Sequence, residues 1–88
     1  MKTIHKHTLR AADEQKLTLG RGAEVLSVQA QHGNIQVWVT HGGAAGSAVR
    51  TFWIKGTGNP CDDVPDDATF LGTVQLANGA LVFHVFYK

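Results

Sequence analysis

The clearest alternation of hydrophobic and polar positions lies in the last twenty residues, where two apolar runs flank Asn78-Gly79. A type I′ turn needs positive φ at both central residues, which Asn and Gly tolerate, so this pair predicts a β-hairpin. The turn sets a register in which directly paired residues share one face. The predicted pairs are Leu76 with Leu81, Gln75 with Val82, Val74 with Phe83, Thr73 with His84, Gly72 with Val85, Leu71 with Phe86, and Phe70 with Tyr87.

The two faces of this hairpin differ in polarity. The first is apolar throughout and is predicted to be core; it carries Phe70, Gly72, Val74, Leu76, Leu81, Phe83, Val85 and Tyr87. The second is mixed and carries Leu71, Thr73, Gln75, Val82, His84 and Phe86. Apolar residues on both sides are typical of an interior strand that is covered twice, or of a surface that meets a partner. We therefore expect a homo-oligomer.

A second hairpin is predicted over residues 24–40, with a two-residue turn at His32-Gly33. Moving the turn to Gly33-Asn34 keeps the same faces, whereas a three-residue loop would set the two apolar rows on opposite sides. The predicted inner pairs are Ala30 with Ile35, Val28 with Val37, and Leu26 with Val39. The predicted outer face carries Val25, Ser27, Gln29, Gln36, Trp38 and Thr40.

The N-terminal part of the chain predicts weaker elements. Thr3–Leu9 alternates without a strongly apolar face, which is typical of an edge strand, and Lys6 would help to protect that edge from aggregation. Residues 16–19 can form a brief strand. The alternative of a helix over residues 11–17 is too short to be stable on its own.

The middle of the chain contains one further strand between two irregular segments. Residues 41–47 are rich in glycine and predict a flexible loop. Residues 48–55 alternate, which turns Phe52 and Ile54 toward the core and Trp53 to the opposite side. Residues 56–68 form the longest irregular segment, of the kind that is either functional or mobile.

Short strands separated by turn signals, without a credible helix, predict an all-β protein. We expect a small antiparallel β-sandwich or partly open barrel of six or seven strands. The length of 88 residues allows one domain, residues 1–88.

Composition narrows the classes of function. A net charge of +1 gives no strong signal for nucleic-acid binding. The lone Cys61 has no partner for an internal disulfide, and His and Lys follow Met1-Lys2-Thr3 where a signal peptide would be apolar. No segment approaches the roughly 20 apolar residues of a membrane helix. We expect a cytoplasmic protein with no membrane role.

Candidate chemistry for an enzyme is sparse. His5 and His7 lie on one face of the first strand, about 6.5 to 7 Å apart, a spacing that metal sites in β-barrels use. A metal site needs further ligands, so exposed histidines on an edge strand are the preferred interpretation, and no metal is predicted. No catalytic residue is predicted either, because no activated nucleophile is recognisable. We expect a protein that is not an enzyme and has no cofactor.

A ligand-binding site is predicted at the glycine-rich end of the 48–55 strand. Backbone amides there could approach an anion, nearby cations could pair with it, and an indole could stack on a base. The predicted residues are Trp38, Arg50, Trp53, Lys55, Thr57, Gly58 and Asn59. The alternatives are that the glycines only turn the chain and that both tryptophans are covered by a second sheet.

Several segments resemble a family of small phage and prophage proteins of uncharacterised function. They are the MKTIHK start, GAEVLSVQ at 22–29, GTGNP at 56–60, LGTVQL at 71–76 and GALVFHVF at 79–86. The resemblance covers almost the whole chain, but this family has no known reaction or ligand to transfer. It implies a virus-linked context, in which small β-proteins often act as accessory or counter-defence factors.

We therefore predict a non-enzymatic accessory protein of a phage or prophage that binds a host protein or a small, nucleotide-like, anionic ligand. The prediction includes a counter-defence role. The first alternative is a structural or assembly protein of the virion, and the second is a small metal-dependent enzyme.

Overall fold

The computed structural model describes residues 1–43 and 45–88, which form seven strands and one short 3-10 turn. The strands are β1 Thr3–Leu9, β2 Glu14–Gly20, β3 Val25–Gln31, β4 Asn34–His41, β5 Ser47–Gly56, β6 Thr69–Leu76 and β7 Leu81–Tyr87; the turn is Ala77–Gly79. The predicted all-β class is confirmed. The loop predicted at 41–47 includes residue 44, which lies outside the described residues.

The strands form two antiparallel sheets. Sheet A has the order β1-β4-β3 and sheet B has the order β2-β5-β7-β6, so the predicted sandwich of six or seven strands is confirmed. As predicted, β1 is an edge strand and β7 is an interior strand. The brief strand predicted at 16–19 is longer than expected, because pairing with β5 extends β2 in both directions.

The core lies between the inner faces of the two sheets. Its fully buried members are Ile35, Val37 and Val39 from sheet A with Leu19, Phe52 and Val85 from sheet B. The sheets come closest where β3 meets β6. A Cβ atom at Gly72 would lie only 3.0 Å from Val28 Cγ1, so glycine permits this approach.

Both predicted hairpin turns are present. His32 and Gly33 have φ of 53° and 77°, and Gln31 pairs with Asn34, which confirms the two-residue loop. Asn78 and Gly79 have φ of 55° and 89°, as the central residues of a type I′ turn require. Ala77 also has positive φ, of 51°, and the strands pair only as far as Leu76 with Leu81, so this loop is longer than the predicted two residues.

Two β-bulges change which side chains face the core. In β3, Val25 rather than the predicted Leu26 pairs with Val39. The extra residue at the bulge reverses the alternation, so Val25 packs on the core and Leu26 is exposed. The prediction that Leu26 is inside and Val25 outside is therefore wrong.

The second bulge lies in β6 at Leu71. Phe70 pairs with Phe86, whereas Tyr87 pairs with Thr69. Leu71 consequently packs against the core and Phe70 is exposed, so both predicted orientations were wrong. The register is as predicted from the turn out to Gly72 with Val85.

Candidate functional site

The residues of the predicted ligand site lie in three separate places. Four of them, Lys55, Thr57, Gly58 and Asn59, line a shallow depression of about 220 Å³ on the outer face of sheet B, the face opposite the core. His84, Phe86, Gly56 and Cys61 complete its lining.

Lys55 does not offer its charge to a ligand. Its side chain is only 4% exposed, and Nζ lies 2.8 Å from a carboxylate oxygen of Asp13 and 2.8 Å from one of Asp63. Burial by itself would lower the pKa of Lys55, but the hydrogen bonds to the two aspartates outweigh it and raise the pKa. The ammonium is thus held charged and neutralised by two carboxylates, and the interpretation of Lys55 as an anion-binding cation is wrong.

Trp53 and Arg50 are also engaged within the fold. Trp53 lies beside Phe86 on the outer face of sheet B but is only 6% exposed, and its indole Nε1 donates a hydrogen bond to Glu14 Oε1 at 3.1 Å. Arg50 is on the inner face, 5.2 Å from the centre of the Tyr87 ring. The prediction that the Trp53 indole is exposed is therefore wrong. The indole lies on the face of sheet B that points away from sheet A, so sheet A is not what covers it.

The 57–68 segment is anchored across the outer face of sheet B. Thr57 Oγ1 and His84 Nε2 are 2.7 Å apart at its start. Near its end, Asp67 forms a 2.7 Å ion pair with Lys88, which lowers the pKa of Asp67 by hydrogen bonding. With Asp63 held by Lys55 between these points, the segment acts as a strap that shields this face. Its first turn, closed by the Asn59 N–H on the Gly56 carbonyl at 3.0 Å, supports the alternative that the glycines turn the chain.

Trp38 belongs to a different surface, on the outer face of sheet A. It lines an open groove of about 330 Å³ with Ile4, Leu26, Ser27 and Gln29, which we call the Trp38 groove. Ile4 is 60% exposed and Leu26 is 45% exposed, so the groove presents contiguous apolar surface to solvent. Sequence reasoning missed Leu26 because the bulge reverses its side. It also missed Ile4, which lies two positions before Lys6 and therefore on the same face of β1.

Polar side chains border the Trp38 groove on the side of the β3–β4 turn. Lys6 Nζ donates to Gln31 Oε1 at 2.7 Å across the sheet. Thr8 Oγ1 donates to Gln36 Oε1 at 2.7 Å, and Gln36 is buried in the floor of the same face. On that side the apolar surface has a polar border, in which hydrogen bonds fix the side chains of Lys6 and Thr8.

A family model described as "Domain of unknown function (DUF7352)" matches residues 1–88. The chain belongs to this family. No curated protein and no solved structure matches it. Within residues 1–43 and 45–88, this DUF7352 chain has no helix that is long and apolar enough to cross a membrane.

The DUF7352 chain also brings three histidines together on the inner face of sheet A. His5 and His7 come from β1, and His41 comes from the end of β4. No group of three His, Cys, Asp or Glu in the described part of the chain is arranged to hold a metal ion. The alternative of exposed edge-strand histidines holds for His5, whereas His7 and His41 are half-buried.

Proposed function

We propose that this DUF7352 member is a non-enzymatic accessory protein of a phage or prophage that binds a host protein in the host cytoplasm, with counter-defence as the biological role. The observation that carries the binding proposal is the Trp38 groove. The phage context rests on the resemblance of the sequence segments.

The properties of the Trp38 groove favour a protein partner. Exposed apolar surface with a polar border is typical of protein-binding sites, and tryptophan is among the residues that contribute most to such interfaces. The neighbouring strand β1 is a sheet edge, with backbone groups available to an added strand. A partner segment could pair with β1 and place an apolar side chain beside Ile4.

The alternative ligand, a small nucleotide-like anion, has less support. Its proposed cation, Lys55, is buried and paired with two carboxylates. Its proposed stacking residue, Trp53, is also buried. The predicted homo-oligomer remains a proposal, supported by Phe70, which is exposed with its ring centre 5.3 Å from that of Phe86.

Site-specific cross-linking tests the proposed surface. A photoreactive residue is placed at position 4, in the groove, and in a matched variant at position 49, where Val49 is an exposed apolar residue of sheet B. Host proteins that are cross-linked from position 4 and not from position 49 are identified by mass spectrometry and purified. Trp38→Ala is then expected to cost about 2 kcal/mol of binding free energy or more, which raises Kd about 30-fold.

The control variant for this titration is Val49→Ser, which should leave Kd unchanged. Thermal unfolding of both variants separates lost binding from lost folding, since Trp38 is half-buried. Equal cross-linking from positions 4 and 49, or an unchanged Kd for folded Trp38→Ala, would remove the groove as the binding surface. If purified phage particles contained this protein in a fixed number of copies per particle, the alternative of a virion protein would be favoured instead.

A further inference from the structure

The three histidines of sheet A form a closely packed cluster. The ring centres of His5 and His41 are 4.3 Å apart in a stacked arrangement, and those of His7 and His41 are 5.3 Å apart. The Nε2 atoms of His7 and His41 are 3.1 Å apart and share a hydrogen bond. One of these nitrogens must be unprotonated to accept the bond, so the contact requires at least one neutral imidazole.

The surroundings of the cluster do not compensate positive charge. On the inner faces of the described strands the polar side chains include Thr3, which contacts His5 Nε2 at 3.1 Å, and Arg50 of sheet B, but no aspartate or glutamate. Burial, and then the nearby His41 and His5, lower the pKa of His7 from its ordinary value. A second and third imidazolium would therefore meet like charges at short distance without a counter-ion.

The position of the cluster makes one strand sensitive to this repulsion. His5 and His7 are on β1, which is hydrogen-bonded to the rest of sheet A through β4 alone, and His41 is on β4. We propose that the cluster of His5, His7 and His41 is an acid-sensitive latch, which holds the edge strand β1 on β4 at neutral pH and releases it when the imidazoles are protonated.

The direction of the pH effect follows from proton linkage. A histidine whose pKa is lowered by folding adds stability above its ordinary pKa, and this stability is lost as pH falls through the lowered value. The latch should thus be closed above about pH 6.5, the ordinary pKa of histidine, and should open progressively as pH falls from there through the lowered pKa of His7. Because β1 also carries Ile4, its release would disassemble the Trp38 groove. Loss of partner binding at low pH would follow, and this consequence, unlike the latch, rests on the proposed function.

Hydrogen exchange of the β1 amides tests the latch. Protection factors, corrected for the intrinsic effect of pH on exchange, are measured at pH 7.5 and pH 5.0 for wild type, His41→Gln and the matched control His32→Gln, which changes a turn histidine. In wild type and His32→Gln, protection of β1 should fall by more than about threefold, because protonation of the crowded imidazoles weakens the contact of β1 with β4. Protection of β5 and β7 should hold. In His41→Gln the pH-dependent fall in β1 should be less than threefold.

His7→Gln provides a second removal of the latch, so the test does not depend on whether His41→Gln folds. An equal fall in β1 protection with and without the histidines would overturn the proposal. A fall spread equally over both sheets would also overturn it, because that pattern indicates global unfolding.

Discussion

The buried Lys55 permits a sharp prediction, because its two partners differ from it in exposure. The Lys55 side chain is 4% exposed, while those of Asp13 and Asp63 are 73% and 50% exposed. If Lys55 is replaced by Met, the apolar stem is kept and the two carboxylates are free to take up water. If both aspartates become asparagine, the ammonium stays buried without a counter-charge.

The expected free energies of unfolding follow from this asymmetry. Replacing a buried ion pair by an apolar side chain of similar size is often neutral or stabilising, so Lys55→Met should lie within about 1 kcal/mol of wild type. A buried charge left without its partners costs about 3 to 5 kcal/mol, and this is the expected loss for Asp13→Asn/Asp63→Asn. For a domain of this size the loss lowers Tm by at least about 12 °C.

Urea unfolding at pH 7 measures the free energy of unfolding of both variants, provided that the dependence of this free energy on urea concentration, the m-value, is the same as in wild type. The loss of stability at acid pH gives a second measurement. The hydrogen bond from Lys55 lowers the pKa of Asp63, so its contribution is present above the ordinary carboxyl pKa of 3.8 and is lost as pH falls through the lowered value. Lys55→Met should remove this contribution of Asp63 to the pH dependence of stability. A larger loss of stability in Lys55→Met than in the double variant would refute the reasoning.

Two further predictions test the core and the turns by thermal or urea unfolding. Phe52 is fully buried, so Phe52→Ala should lower the free energy of unfolding by about 3 to 5 kcal/mol. Phe83 is only half-buried against the core, so Phe83→Ala should lower it by about 2 kcal/mol. Equal losses would contradict this packing. Gly33 and Gly20 both have open space around an added Cβ, but only Gly33 has positive φ, of 77°. Gly33→Ala should therefore cost about 1 to 2 kcal/mol. Gly20→Ala should be neutral or slightly stabilising, so similar values for the two would argue against backbone strain.

The sequence alone determined the elements that depend on local chemistry. Turn residues with positive φ placed both hairpins, and alternation then assigned Phe52 and Ile54 to the core and β1 to a sheet edge. These inferences hold because a two-residue turn and a period of two involve only neighbouring residues or directly paired strands.

The bulges at Leu26 and Leu71 were decided by the tertiary structure. The first lies in β3 and the second in β6, which are the strands that contact each other across the two sheets. Each bulge reverses the alternation on which the predicted orientations relied. A bulge accommodates twist and close approach between sheets, which a single strand's hydrophobic pattern does not record.

The candidate site was likewise decided by contacts between distant segments. Lys55 and Trp53 do lie on the outward side of β5, as alternation predicts, but Asp13, Glu14 and the 57–68 strap engage that side. His41 reaches His7 only because β4 pairs with β1. Alternation specifies which side of a sheet a residue occupies, whereas burial depends on what else in the chain covers that side, and that requires the three-dimensional packing.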